Sequence, residues 1–129
     1  MAWAKKLRAR AVLIHSLRDG LHPVIQTAYG AGAQSHELEG VIAPYRDKAL
    51  RTLEQKKKLW ERAGVACQVF LDQSFGLARD AVLERAQAVD ASLIFLGTHG
   101  RNLALKAFLG STAREVLLLS TVPVVTVRS

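Results

Sequence analysis

The chain has 129 residues, half of them apolar and 22% charged, a composition that fits one globular domain and excludes a disordered or fibrous chain. Eighteen Lys and Arg against 11 Asp and Glu give a net charge of +7, so polyanionic partners have to be weighed. The single cysteine, Cys67, excludes an internal disulfide and fits a reducing, cytoplasmic compartment.

In chain order, residues 2–10 read as a helix. Residues 11–17 are the first strand candidate. The basic Lys5, Lys6, Arg8 and Arg10 resemble the start of a secretory signal, but the apolar run after them is short, contains His15 and lacks a small-residue cleavage pattern. The beginning therefore reads as mature sequence. Residues 18–40 hold four glycines and Pro23 with little periodicity, which predicts a long loop. From 41 to 63 the residues Ile42, Tyr45, Ala49, Leu53, Trp60 and Ala63 return at helical spacing; Pro44 is then acceptable only in the first turn, and Gly64 is the stop.

Residues 66–71 form the next strand and place Cys67 in a sheet, where burial fits better than catalysis or metal binding. Leu77, Ala78, Ala81, Val82, Arg85, Ala86 and Val89 mark a helix that Gly76 could open. Strands at 92–96 and 123–127 flank a helix over 112–119. The alternation predicts parallel strands joined by helical crossovers. No run reaches the roughly 18 apolar residues of a membrane span; the longest, 116–127, is broken by Ser120, Thr121 and Pro123.

The segment most telling of function begins where 92–96, Ser-Leu-Ile-Phe-Leu, runs into Gly97-Thr98-His99-Gly100, with Gly110-Ser111-Thr112 following. Glycines at 97, 100 and 110 can adopt positive φ and let an anion approach backbone N–H groups. Thr112-x-x-Glu115 has capping-box spacing before Val116-Leu117-Leu118-Leu119, so a helix N-terminus should face the loop. These features favour a phosphate-bearing ligand over a plain strand-to-helix connection.

Read as G-x2-G-x9-G-[ST], this segment resembles the ATP-binding signature of the universal stress protein family. The match continues through Thr121-Val122-Pro123-Val124-Val125-Thr126-Val127, and upstream through Phe75-Gly76, Val89-Asp90-Ala91, Trp3-Ala4 and Ala11-Val12-Leu13-Ile14-His15. The resemblance implies an α/β, open parallel-sheet, Rossmann-like nucleotide-binding fold of the universal stress protein type, forming one domain over 1–129. It implies ATP as cofactor, with Mg2+ or Mn2+ as an optional companion. By position it assigns Gly97, Gly100, Gly110, Ser111 and Thr112 to the phosphates and ribose, and Leu96 and Ser16 to the adenine-facing strand ends. Thr98, His99 and Arg101 lie between or beside the glycines; Arg101 either adds positive charge near a polyphosphate or is a solvated loop arginine.

The resemblance also implies a homodimer through the C-terminal strand, where Val122, Val124, Val125 and Val127 make an edge apolar on both faces. Family members usually begin with a buried strand whose acidic residue contacts the nucleoside. This chain starts inside the helix that follows, so the expectation is a domain truncated at its N-terminus relative to the family.

His15, His22, His36 and His99 have no metal-ligand spacing, and no nucleophile-elbow pattern surrounds Ser111. A dedicated enzyme is not expected; any ATP cleavage would be slow. Lys56-Lys57-Lys58, with Arg46, Lys48, Arg51 and Arg62, is interleaved with Asp47, Glu54 and Glu61 and reads as a solvated helix face, so nucleic acid is not the expected partner. The resulting expectation is an ATP-binding regulatory or stress-response module. The alternative is a family member without nucleotide that works through protein association alone.

Overall fold

The computed structural model describes residues 1–32, 34–97 and 109–128. They belong to two compact units, residues 1–75 and 76–129.

The first unit runs α1 (Ala2–Lys6), β1 (Ala11–Ser16), α2 (Leu17–Gly30), α3 (Ser35–Arg62) and β2 (Cys67–Asp72). β1 and β2 pair in parallel, from Ala11 opposite Cys67 to Ser16 opposite Asp72. Parallel neighbours need a crossover, and α2 with α3 provides it. The core consists of buried Leu17, Leu53 and Leu71, with Leu13, Val24, Ile25, Ile42, Ala49, Val69 and Phe75 packed against them.

Three local expectations change here. The segment 18–40 is not a long loop, because α2 occupies most of it and α3 begins at Ser35. Leu17, Val24, Ile25 and Ala28 recur at helical spacing, and burial of Leu17, Val24 and Ile25 outweighs the poor helix propensity of the glycines and Pro23. α3 starts before position 41 because the Glu37 carboxylate accepts the Gln34 N–H at 2.6 Å and satisfies one of the donors at the helix start. Pro44 consequently lies inside the helix rather than in its first turn, on an exposed position. α1 ends at Lys6 rather than 10: Arg8 turns left-handed at φ 51, and Ala11 N–H donates to Ala66 O at 2.8 Å, drawing the chain into the sheet.

Gly64 stops α3 as expected. It takes φ +85; its N–H reaches Glu61 O at 2.9 Å, and Val65 N–H reaches Trp60 O at 3.0 Å. This pair of bonds closes the helix with a Schellman motif.

The second unit contains α4 (Ala78–Ala88), β3 (Ile94–Gly97), α5 (Ser111–Leu119) and β4 (Val124–Val127). The N-cap of α4 is Leu77 rather than Gly76. β3 and β4 are parallel, Ile94 opposite Val124 through Gly97 opposite Val127. Ala86, Ile94 and Val116 form the buried core, with Val82, Leu83, Ala91, Leu96, Val122 and Val124 around them. The Ser120 hydroxyl donates to Val122 O at 2.7 Å and accepts Val122 N–H at 3.0 Å, tightening the turn into β4. The architecture is mixed α/β with parallel strands, Rossmann-like as expected. Among the described residues, no helix is long and apolar enough to cross a membrane.

Candidate functional site

In α/β folds ligands sit beyond the carboxyl ends of parallel strands, where helix N-termini also point. In the first unit that end is marked by Ser16 and Asp72. Ser16 closes β1 and the chain passes directly into α2. Its hydroxyl oxygen is buried and has no hydrogen-bond partner among the described residues, so it does not cap the helix it precedes.

Asp72 is the register partner of Ser16 and is only 7% exposed. Its Oδ1 accepts Ser74 N–H at 3.2 Å, while Oδ2 has no partner among the described residues. Register partners in a sheet project to the same face, so a hydroxyl and a carboxylate share one end and one face of this parallel pair. Reading by motif places Ser16 here and misses Asp72. The available signal is a carboxylate closing the apolar run Val69-Phe70-Leu71 immediately before a turn.

The other predicted residues belong to the second unit. Leu96 and Gly97 end β3; the Leu96 side chain packs toward the core around Ile94 and Val116. Gly110 is the N-cap of α5, exposed Ser111 and half-buried Thr112 open its first turn, and Arg114 N–H makes the first helical bond to Gly110 O at 2.9 Å. Since α5 carries the chain back to the start of β4, its N-terminus lies on the side where β3 ends. Thr98, His99, Gly100 and Arg101 lie outside the described residues.

Two details of this helix start differ from expectation. Thr112 is not the N-cap, because helical geometry already begins at Ser111; Glu115 instead approaches Arg79, with Oε1 3.4 Å from Nη1, linking α5 to α4. Gly110 does not use positive φ: it sits at φ −59, ψ 154. What glycine contributes there is the lack of a side chain. No side chain caps α5 and no acidic residue stands in its first turn, so its leading N–H groups face neither a capping oxygen nor a carboxylate of that turn.

Cys67 is buried in β2, as expected, and desolvation raises its thiol above the ordinary range, with Glu61 adding to the effect. Among the described residues, no group of His, Cys, Asp or Glu could hold a metal ion.

The sequence model of the Universal stress protein family matches residues 4–128. Comparison with curated proteins gives no match. Among solved structures, the crystal structure of hypothetical protein PH0823 is similar at TM-score 0.64 and 21% identity, over 94% of this chain and 77% of that one. A crystal structure from the universal stress protein family of Burkholderia pseudomallei is similar at TM-score 0.61 and 18% identity, over 93% of this chain and 96% of that one. These likenesses concern the fold.

Proposed function

We propose that this chain, which belongs to the universal stress protein family and is by that membership a stress-response protein, acts as a nucleotide-dependent regulatory module by binding ATP. In this reading the phosphates lie over Gly97 to Gly100 and Gly110 to Thr112. The observation that carries it is the start of α5: a glycine N-cap, no side-chain cap and no first-turn carboxylate, on the side where a parallel strand ends. Backbone donors and the positive end of the helix dipole there suit an anion. A companion Mg2+ or Mn2+ would neutralise phosphate charge.

The working form in this proposal is a homodimer joined through the C-terminal strand. Support comes from an apolar surface: Phe95 is 53% exposed and Val127 50%, and half-buried Val125 is the register partner of Phe95 on the same sheet face. Exposed apolar surface of this kind marks interaction sites.

Calorimetric titration with ATP tests the nucleotide. Wild type should bind, Gly100→Val/Gly110→Val should lose at least about tenfold in affinity (about 1.4 kcal/mol), and Lys57→Ala should match wild type. Equal affinity in wild type and the double variant overturns the site. A wild type that dimerises without binding ATP supports the protein-association alternative.

A further inference from the structure

α3 gathers three of its carboxylates in one row, with cations on either side of it. Residues seven apart on an α-helix lie nearly above one another, which stacks Asp47, Glu54 and Glu61 in one row. The next rows around the helix are Arg51 with Lys58, then Lys48, Gln55 and Arg62, then Tyr45, Thr52 and Leu59. Ile42, Ala49 and Leu53 occupy the other side and belong to the core. Lys48, Arg51, Lys58 and Arg62 are all exposed, and none forms an ion pair among the described residues. Two neighbouring cations are already engaged: Arg46 with Glu39 at 2.6 Å, and Lys57 with Glu61 at 4.0 Å.

This basic track is about 21 Å long, from 48 to 62 at about 1.5 Å per residue. Further exposed cations stand beside the helix end. A Cβ on Gly64 would lie 3.6 Å from Lys5 Cε and 3.9 Å from its Nζ, so Lys5 sits against the end of α3. Lys6, Arg8 and Arg10 are exposed on the same short segment, which the bond from Ala11 N–H to Ala66 O holds beside the residues that follow α3.

We propose that this track binds the phosphate backbone of a nucleic acid without reading its sequence. A polynucleotide strand presents a line of single negative charges, one per about 3.4 Å of duplex axis, and a line of unpaired Lys and Arg is its electrostatic complement. A flat anionic membrane would press on the whole acidic row of Asp47, Glu54 and Glu61, whereas a narrow backbone can lie toward the Lys48 and Arg62 side of the track, farther from those carboxylates. Tyr45, 45% exposed and one turn before Lys48, offers a ring on which an unpaired base can stack. The charge-bearing side chains suit phosphate contacts, which position a duplex and carry no sequence information. None of these residues enters the ATP reading, so either proposal can fail alone.

The test is fluorescence anisotropy with labelled RNA and DNA, both duplex and single-stranded, between about 50 and about 200 mM salt. Lys48→Gln/Arg51→Gln/Lys58→Gln is compared with the control Lys56→Gln/Arg114→Gln/Arg128→Gln; both triples replace exposed side chains and remove equal charge. The track variant should lose at least tenfold in affinity, and its log–log salt slope on a duplex should flatten by about 0.9 for each phosphate it no longer neutralises. The control should stay within threefold of wild type. Equal losses in both triples overturn the proposal, as does a wild type that binds no nucleic acid at the lowest salt. So does preference for phosphatidylserine vesicles that the track variant loses, which would make the partner a membrane surface.

Discussion

Ser16 and Asp72 stand opposite each other at the carboxyl ends of β1 and β2, each keeping a buried side-chain oxygen without a hydrogen-bond partner among the described residues. A buried carboxylate with one unsatisfied oxygen is expensive, and the cost falls on the folded state.

Asp72→Asn should therefore stabilise the protein. The amide keeps an acceptor for Ser74 N–H, gains a donor and removes the buried charge, worth about 1 kcal/mol. Urea unfolding should move to a higher midpoint at constant slope. A lower midpoint would mean that the carboxylate is held by favourable interactions at this strand end.

Cys67 should resist thiol reagents in the native protein. It is buried, and its raised pKa leaves less thiolate, the nucleophilic form, than an exposed cysteine has. For stability, the unfolded chain loses the thiol proton first. The contribution is thus present below the unfolded value of about 8.5 and is lost as pH rises through the native one. Melting temperatures of wild type should drop more steeply on the alkaline side than those of Cys67→Ala, and labelling with a chromogenic disulfide should be slow until denaturant is added.

Gly64→Ala should destabilise by about 1 kcal/mol, because φ +85 is strained for any residue with a Cβ. The added methyl itself meets Lys5 only at ordinary contact distance, so backbone conformation sets the cost. Chemical denaturation is the measurement; an unchanged midpoint would show that the helix end relaxes without penalty.

Val125→Lys should shift the proposed dimer toward monomer, since it places a charge beside exposed Phe95 on the same sheet face. Sedimentation velocity over a concentration series checks this. A wild type that remains monomeric at high concentration removes the interface from the proposal.

The strands are legible because short apolar runs bounded by turn residues have few other uses: Ile94, Phe95, Leu96 and Val124 through Val127 all fall in strands that the sequence predicts. α2 is not legible. Its glycines and Pro23 argue locally for a loop, and only the packing of Val24 and Ile25 against Leu17 and Leu71 decides otherwise. The start of α5 is predicted within one residue, yet the identity of its cap differs, because Ser111 and Thr112 both suit a cap by composition while the backbone turns at Gly110. Asp72 lies outside the glycine signature, and its importance rests on a register with Ser16 that requires the pairing of distant segments.

The two parallel pairs also set an order in time. Ala11 must find Cys67 across α2 and α3, whereas Ile94 meets Val124 after little more than half that length of chain. Loop closure costs about 0.6 kcal/mol more for each doubling of loop length, so the initial encounter of β3 with β4 should outpace that of β1 with β2 by roughly threefold. During synthesis the ranking is reversed, because residues 1–75 leave the ribosome first. Refolding from denaturant and folding on the ribosome should thus proceed through the two units in opposite sequence.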